Sequence, residues 1–445
     1  MNMALTGLVM WLAIVDLPIG TELKYAGTLN QQTPSGVVEA KSFTIDVISL
    51  NDDDGNLQWV YHVEERGGGW GWPERVGMIP NPKSPAIRSR LMGILLAHEG
   101  QQYPVAIRSP LFEFQEKLVP QAAWSDGRRD YVVTRPRKIM NRDCFQIDVS
   151  SNLGRSQTLV VEAISGIVIS LDERVFVGRG VEFQLKLELQ SQTQLADGEL
   201  AKNRQVWDSL LAIQTRLNRT GEQKVLELTS DQVSRLRQDL PRIEKEAEGT
   251  SWSRIVASIA RDLQQQQKRL DGVAGLEKKL VGQAAPKWML KRTDGTMVTD
   301  ETFKDQVVVL HFWQYRGEPL SEPYGQIGYL DFLYSKRKKL GLAVVGVNVD
   351  ERFANPQQAG AATRSMKSLL EFMKIGYEMT MDDGSVLAEF GDPRAQAAPL
   401  PLWIVIGHDG RVAHVHTGFY SIKPDEGLKL LDDAVVEALR HQKAQ

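Results

Sequence analysis

The stretch VVVLHFWQYRGEPL, residues 307–320, decides the fold of the C-terminal third of the chain. It begins as an almost uninterrupted apolar run, which is typical of a β-strand that is buried on both faces. A turn containing Gly317 and Pro319 follows. A helix is predicted over 320–339, because this segment is long, has few β-branched residues and ends in basic ones. The stretch therefore predicts a strand, a turn and the start of a helix.

The residues around this stretch predict an α/β domain with three layers. A second uninterrupted apolar strand is predicted at 342–347, so the two strands and the helix between them form a parallel βαβ unit. Further helices are predicted at 363–374 and 424–439, and further strands at 402–406 and 412–416. Strands and helices in this order are typical of a sheet that is covered by helices on both faces.

Residues 281–445 resemble the thioredoxin-fold family that includes the TlpA-like thiol-disulfide proteins and the peroxiredoxin-related AhpC/TSA or redoxin proteins. The resemblance is carried, in order, by GQAAPKW at 282–288, DG at 294–295, VVVLHFW at 307–313, LAVVGVNVD at 342–350, DDGSVLAEFG at 382–391 and PLWIVIGHDGRV at 401–412. It implies a thioredoxin-like fold for this part of the chain. It does not extend to the first 280 residues.

The residues that carry out redox chemistry in that family are missing here. In the family the strand ends in Phe-Trp-x-x-x-Cys-x-x-Cys, and the two cysteine positions fall on Gly317 and Leu320. The first cysteine of the family is a thiolate stabilised at a helix N-terminus, and the second resolves the mixed disulfide. We therefore predict no catalytic residue and a degenerate redox site, made of Trp313, Tyr315, Arg316, Gly317, Glu318, Pro319 and Leu320. A non-thiol enzyme built on Tyr315, Arg316 and Glu318 is a further alternative.

Leu400 and Pro401 are predicted to form a groove for an extended peptide. Pro401 falls where the family has its cis-proline, although Pro393 and Pro399 leave that alignment open by two residues. His414 and His416 lie two residues apart on one predicted strand, but they are interpreted as ordinary histidines because no third metal ligand accompanies them. No cofactor and no metal ion is expected.

Residues 17–195 predict an antiparallel β domain. The clearest strand is 181–189, where apolar and charged or amide residues alternate strictly. One helix is predicted at 86–98, and the glycine- and tryptophan-rich loop at 67–73 is interpreted as a connection. The domain loosely resembles the half-barrels of bacterial lipoprotein carriers, which implies an apolar ligand as an alternative function. Cys144, the single cysteine, lies in a predicted strand on the face opposite Phe145 and Ile147 and is interpreted as an inert core residue.

Residues 196–280 predict a helical connector with three apolar stripes. Thr229 and Gln232 form a capping-box pattern at the start of the second helix. The connector is interpreted as a spacer, with a partner-binding surface as the alternative. The fold class is therefore multidomain α+β, with a β domain at 17–195, the connector and a thioredoxin-like domain at 281–445.

Composition and charge limit the choice of partners and compartment. A net charge of −3 gives no electrostatic reason to expect nucleic acid as a partner. The apolar segment at 1–16 is too short to span a bilayer and is interpreted as a signal-peptide remnant, with a buried strand as the alternative. A periplasmic or otherwise extracytoplasmic location is thus expected, with the cytoplasm as the alternative, and no other membrane anchor is expected.

The leading functional hypothesis is a redox-inactive thioredoxin-like protein that binds a protein or peptide segment. The alternatives are a thiol-disulfide oxidoreductase or peroxiredoxin-related antioxidant enzyme, as the fold family implies, and a carrier of an apolar ligand in the N-terminal β domain. The absence of cysteine from residues 281–445 separates the first two hypotheses.

Overall fold

The computed structural model describes residues 17–33, 36–51, 55, 57–65, 75–79, 92–98, 101–152, 156–178, 180–217, 228–315, 326–420, 422 and 425–443. The predictions for the segment 1–16 and for the loop 67–73 lie outside these residues. The chain divides into two compact units, Met1–Gln264 and Gln265–Gln445. They are called the N-terminal unit and the C-terminal unit below.

The N-terminal unit is built on an antiparallel sheet that has ten strands in the described part of the chain, in the order β4-β3-β2-β1-β12-β11-β10-β9-β8-β7. Strands β5 and β6 form a separate two-stranded ribbon. The bounds are β1 Thr21–Thr33, β2 Gly36–Asn51, β3 Leu57–Glu65, β4 Val76–Ile79, β5 Gly93–His98, β6 Gln101–Ala106, β7 Ala123–Ser125, β8 Arg129–Ile139, β9 Arg142–Ser151, β10 Ser156–Glu162, β11 Val168–Val177 and β12 Val181–Gln194.

The predicted alternation of buried and exposed side chains is present in this sheet, most regularly in β12. The apolar side chains of one sheet face and of the ribbon pack into one continuous core. The prediction of a helix at 86–98 is wrong over residues 93–98, which form β5, and residues 86–91 lie outside the described residues. The reason is tertiary: Leu95 accepts a hydrogen bond from Lys41 and donates one to Glu65 at 3.1 Å, and β5 pairs with β6.

Three helices follow the sheet: α1 Asp197–Leu217, α2 Ser230–Ala247 and α3 Ser253–Leu280. The capping box of Thr229 and Gln232 is present at the start of α2. Gln214 donates to the carbonyl of Val76 at 2.9 Å, and His62 Nε2 lies 3.1 Å from the carbonyl of Ser251. Helix α1 and the segment before α3 therefore contact the sheet, and α1 and α2 belong with it to the N-terminal unit. The division between the units falls inside α3, and the connector at 196–280 stays a prediction.

The C-terminal unit has a mixed sheet of seven strands among the described residues, in the order β14-β13-β17-β16-β15-β18-β19. Strands β15, β16 and β17 are parallel, and β18 and β19 run antiparallel to β15 and to each other. The bounds are β13 Met289–Arg292, β14 Met297–Thr299, β15 Val307–Trp313, α4 Ile327–Arg337, β16 Leu342–Val349, α5 Pro356–Met373, β17 Glu378–Asp382, α6 Ser385–Phe390, β18 Leu402–Ile406, β19 Val412–Thr417 and α7 Lys429–Lys443.

Both faces of this sheet are covered by helices. One face packs against α4, α5 and α7, and the other packs against α6 and the last turn of α3. Every residue of β15 and of β16 is buried, as the uninterrupted apolar runs predict. The described helices begin elsewhere than predicted: α4 at Ile327, α5 at Pro356 and α7 at Lys429. No described helix combines the length and the apolar character that a membrane span requires.

Candidate functional site

Three chain segments meet at the carboxyl end of β15. Trp313 is paired with Asn348 in the parallel register of β15 and β16. On the other side, Phe312 is paired with Leu402, the first residue of β18, so the residue before it, Pro401, lies at the same edge of the sheet. We call the described residues Trp313, Tyr315, Gln326, Asn348, Leu400, Pro401, Trp403 and Tyr420 the edge cluster.

The segment that leaves β15 is held by Asn348. This side chain is 1% exposed, and its Oδ1 accepts a hydrogen bond from the backbone N–H of Tyr315 at 2.9 Å. The rings of Trp313 and Tyr315 stack with their centroids 6.1 Å apart. Arg316, Gly317, Glu318, Pro319 and Leu320 lie outside the described residues, so their predicted roles stay predictions.

Gln326, which precedes α4, joins this edge to the segment after β19. Its backbone is in the left-handed region with φ of 64°, and its side chain is completely buried. Nε2 of Gln326 donates to the carbonyl of Tyr420 at 2.7 Å, and Oε1 accepts from the N–H of Tyr420 at 3.0 Å. A side-chain amide can exchange such a pair because it carries both a donor and an acceptor. Sequence analysis missed this residue.

The peptide bond between Leu400 and Pro401 is cis. The carbonyl of Pro401 accepts a hydrogen bond from the N–H of Gly418 at 2.7 Å, and Nε1 of Trp403 donates to the carbonyl of Gly418 at 2.9 Å. Leu400 is partly buried, and Pro399 before it is exposed. The main chain of Leu400 has no hydrogen-bond partner within the described residues.

Three histidines contact the aromatic residues Trp403 and Tyr420 of the edge cluster. The ring of His311 stacks on Trp403 with centroids 3.9 Å apart, and that of His416 stacks on Tyr420 at 4.0 Å. Nε2 of His414 lies 2.9 Å from the hydroxyl of Tyr420. Burial lowers the pKa of His416 to about 4 and also lowers the pKa of His414, so both rings are neutral at neutral pH. Among the described residues no group of three or more potential ligands is placed to hold a metal ion.

Cys144 lies in β9 of the N-terminal unit and is 2% exposed. Burial raises the pKa of its thiol, and Sγ lies 3.5 Å from the carbonyl of Arg142. Strand β9 pairs with β10 without a register shift, Cys144 with Glu162 and Ile147 with Leu159, so Cys144 and Ile147 lie on opposite faces of the sheet, as the strand alternation predicts.

Residues 281–415 match the AhpC/TSA family. The C-terminal part of the chain resembles the TlpA-like domains and has a thioredoxin fold. This thioredoxin-fold domain is similar to thiol-disulfide oxidoreductase ResA of Bacillus subtilis, with 28% identity over 33% of this chain and 72% of the relative. It is also similar to ResA of Bacillus anthracis, with 23% identity over 35% of this chain and 79% of the relative.

Among solved structures, a thiol:disulfide interchange protein of the thioredoxin family from Chlorobium tepidum is 19% identical. The match covers 35% of this chain and 95% of that chain, with a TM-score of 0.28.

Proposed function

We propose that the thioredoxin-fold domain binds a protein or peptide segment and carries out no thiol chemistry. The observation that carries this proposal is the position of the only cysteine in the sequence, Cys144, which is buried in the sheet of the N-terminal unit. A thiolate is the nucleophile in disulfide exchange and in peroxide reduction. Gly317 and Leu320, at the family's cysteine positions, offer no such group.

The edge cluster supports peptide binding as the remaining activity. The main chain of Leu400 is unpaired within the described residues, next to the exposed Pro399 and to Pro401, which is held by Gly418. An extended segment gains main-chain hydrogen bonds when it lies along such a strand end, and neighbouring side chains add selectivity. Phe419, whose side chain is 50% exposed, offers apolar contact area close to Gly418.

The second candidate is a thiol-disulfide oxidoreductase, which the names of the ResA relatives favour. For this chain it would require a reactive thiol, and the raised pKa of Cys144 makes that thiol a poor nucleophile. The apolar-ligand carrier finds less support, because the described inward side chains of the N-terminal sheet pack into one continuous core. We infer an extracytoplasmic location from the signal-peptide length and apolar character of residues 1–16.

The first test is insulin disulfide reduction by the wild type, Cys144→Ser and the double variant Gly317→Cys/Leu320→Cys. We expect no turnover by the wild type or by Cys144→Ser, because neither has an accessible thiolate. Turnover by the double variant would show that only the nucleophiles are missing. Wild-type turnover that disappears in Cys144→Ser would refute the proposal and locate the activity in the N-terminal unit.

The second test measures peptide binding directly, with reduced and carboxymethylated lactalbumin as a permanently unfolded probe. We expect Leu400→Arg to weaken binding, because it places a charge in the groove. The matched control is Met289→Arg on β13, since Met289 is 60% exposed and lies outside the edge cluster. Equal binding by the wild type and Leu400→Arg, or no binding by the wild type, would contradict the proposal.

A further inference from the structure

The short segment 418–420, which follows β19, is bound to two other parts of the edge cluster. The N–H of Gly418 donates to the carbonyl of Pro401 at 2.7 Å. The main chain of Tyr420 exchanges two hydrogen bonds with the buried side chain of Gln326. We call residues 418–420 the latch, because their hydrogen bonds close this side of the edge cluster.

Two histidines of β19 hold the aromatic ring of the latch. The imidazole of His416 stacks on the ring of Tyr420, with centroids 4.0 Å apart and an angle of 20° between the planes. Nε2 of His414 lies 2.9 Å from the hydroxyl of Tyr420. Both histidines are partly buried, and Tyr420 is 4% exposed. One imidazole therefore packs on the face of the phenol, and the other binds its hydroxyl.

A proton added to His416 finds no acceptor in the described part of the chain. Nε2 of His416 is buried and has no hydrogen-bond partner among the described residues. The ring also has a hydrogen bond to the main chain of Phe419, which Nδ1 must therefore make. A protonated imidazole carries an N–H on both nitrogens. Protonation of His416 thus buries a charged N–H group that nothing described accepts, which is costly.

The contact between His414 and Tyr420 also changes when the imidazole is protonated. Burial raises the pKa of Tyr420, so the phenol keeps its proton and can donate it. Nε2 of a neutral imidazole can accept that hydrogen bond, whereas in an imidazolium both nitrogens only donate. Protonation of His414 therefore requires the hydroxyl of Tyr420 to become the acceptor.

The charges near the two rings do not compensate for their burial. Glu277 of α3 raises the pKa of His414, but it is exposed and its effect is smaller than that of burial. A charge on His414 lowers the pKa of His416 further. Strand β18 has no titratable side chain. Helix α7 also contacts β19, but its exposed charged residues act on neither pKa. These residues are Asp433, Glu437 and Arg440.

One interaction favours a proton on His416. A cation is attracted to the face of an aromatic ring, and the imidazole of His416 lies on the face of Tyr420. This attraction is smaller than the cost of burying a charge without a hydrogen-bond acceptor. The neutral form of both rings is therefore the one that fits the closed latch.

We propose that the latch opens in mildly acidic solution, when His414 and His416 are protonated and turn towards water. The ring of Tyr420 then loses both imidazole contacts, and its main-chain hydrogen bonds to Gln326 open with them. Because Gly418 also holds Pro401, opening loosens the predicted peptide groove. Regulation of the groove rests on the proposed function, whereas the opening itself does not.

The sign of the pH dependence follows from the burial of the neutral rings. Burial lowers the pKa of both histidines in the closed latch, and in the open latch they regain an ordinary pKa of about 6.5. The open form therefore binds more protons. The closed form loses stability as the pH falls below about 6.5 and towards the lowered pKa values.

The test is hydrogen exchange of the full chain at pH 7 and pH 5, corrected for the intrinsic pH dependence of exchange. The amide of Tyr420 reports on the latch, because Gln326 accepts its hydrogen bond. Its protection should fall by about tenfold or more at pH 5. The amide of Val309, in the central strand β15, should keep its protection, since only the latch opens.

Two variants and a titration separate the histidines of the latch from other groups. His414→Gln/His416→Phe keeps an amide and an aromatic ring beside Tyr420 but cannot be protonated, so its protection should be almost equal at both pH values. His408→Gln, in the turn before β19, is the matched control and should keep the wild-type pH dependence. Imidazole C–H signals in NMR spectra of the wild type should show two rings that titrate below the ordinary pKa of histidine.

The proposal is overturned if the amide of Tyr420 is equally protected at both pH values, or if His414→Gln/His416→Phe keeps the wild-type pH dependence. It is also overturned if Val309 loses protection in parallel, because the whole domain then unfolds. If the double variant does not fold, normal titration of all histidines in the wild type refutes the proposal.

Peptide binding tests the regulatory part separately. The wild type should bind carboxymethylated lactalbumin more weakly at pH 5 than at pH 7, and His414→Gln/His416→Phe should show a smaller change. An equal change in both proteins would overturn regulation of the groove. Absence of binding at pH 7 would refute the proposed function, and the exchange of the Tyr420 amide would still decide whether the latch opens.

Discussion

Two buried side-chain amides hold the edge cluster together. Gln326 exchanges two hydrogen bonds with the main chain of Tyr420, and Asn348 accepts one from the main chain of Tyr315. Both segments are loops that leave the sheet, where main-chain groups lack regular partners. Buried main-chain groups are costly when they are unpaired, so each amide replaces a missing strand neighbour.

Replacing Gln326 by Met should destabilise the thioredoxin-fold domain. Methionine keeps the length and flexibility of the side chain but removes both hydrogen bonds, which leaves the N–H and C=O of Tyr420 unpaired and buried. We expect a loss of about 2–4 kcal/mol in the free energy of unfolding. Urea unfolding of the full chain, together with hydrogen exchange at the amide of Tyr420, measures it. The surface change Gln358→Met on α5 is the control, and equal stability of the two variants would contradict the assignment.

Sequence analysis could identify Trp313 and Pro401 but neither amide. Trp313 ends an uninterrupted apolar strand, and Pro401 stands at a fixed place before another, so both have a local pattern. Gln326 and its partner Tyr420 are 94 residues apart, and no local pattern predicts their hydrogen bonds. A polar residue before a helix is ordinarily exposed, whereas this one is completely buried.

Among the secondary-structure elements, α4 and α7 are joined by one carboxylate. Asp432 of α7 accepts hydrogen bonds from Arg337 at 2.8 Å and from Lys336 at 2.7 Å, both at the end of α4. Burial alone would raise the pKa of Asp432, but the hydrogen bonds from Arg337 and Lys336 outweigh it and lower the pKa below 3.8. The ionised form is thus the one that stabilises the packing of the two helices.

Asp432→Asn should reduce the free energy of unfolding by about 1–3 kcal/mol at pH 7, because it removes the charge that binds both cations. In the folded state the pKa of Asp432 is lower than in the unfolded state. Its contribution is therefore complete above the unfolded pKa, about 4, and is lost as the pH falls through the folded pKa. Thermal unfolding of wild type and variant from pH 7 to pH 2 should show the difference shrinking in that acidic range.

The control for this prediction is Asp433→Asn, because Asp433 pairs with Lys429 on the exposed side of the same helix. An exposed ion pair within one helix contributes little, so its removal should leave the free energy of unfolding almost unchanged. A difference for Asp432→Asn that stays constant down to pH 2 would show that its charge is not responsible.

The sequence predicted the secondary structure of the long apolar segments correctly, but it did not predict that of one short apolar run in the N-terminal unit. Strands β15 and β16 are buried on both faces and are apolar except at His311 and Asn348, which is the pattern of a strand in a parallel sheet. The run that forms β5 is consistent with either a helix or a strand. The strand is decided by pairing with β6 and by two hydrogen bonds of Leu95, which accepts from Lys41, 54 positions away, and donates to Glu65, 30 positions away.

For the whole molecule, the division between the two units falls inside α3 and not after it. Leu280, at the end of α3, is 5% exposed in the core of the thioredoxin-fold domain, and Leu276 packs against the same core. The matched family region begins at residue 281 and omits this turn. The last part of α3 therefore belongs to the C-terminal unit.

A fragment that begins at residue 265 should be more stable than one that begins at residue 281. The shorter fragment lacks Leu280, which is buried, and Leu276, which is partly buried; removing a buried leucine costs about 2–5 kcal/mol, and a partly buried one costs less. Circular dichroism with thermal unfolding of both fragments measures the difference. Leu280→Ala in the longer fragment should account for part of it. Equal melting temperatures of the two fragments would show that α3 does not stabilise this unit.

The sequence predicted the order of the strand region, the helices and the thioredoxin-fold domain along the chain. It did not predict that α1 and α2 belong to the same unit as the N-terminal sheet. A change in the spacing of apolar residues, from every second residue to every third or fourth, marks the boundary between strands and helices. The attachment of α1 depends on contacts such as that between Gln214 and Val76, which are 138 positions apart. Amphipathic helices need a surface to cover, and the sequence does not specify which one.

The central position of β1 has a consequence for biosynthesis. Its residues pair with β2 on one side and with β12 on the other, from Thr21 with Gln194 to Gln31 with Phe183. A ribosome must therefore translate the chain as far as β12, the last strand of this sheet, before both edges of β1 can be covered. Until then the uncovered edge offers free N–H and C=O groups to any other extended chain. In the cell, the emerging polypeptide would benefit from a chaperone that shields this strand during translation.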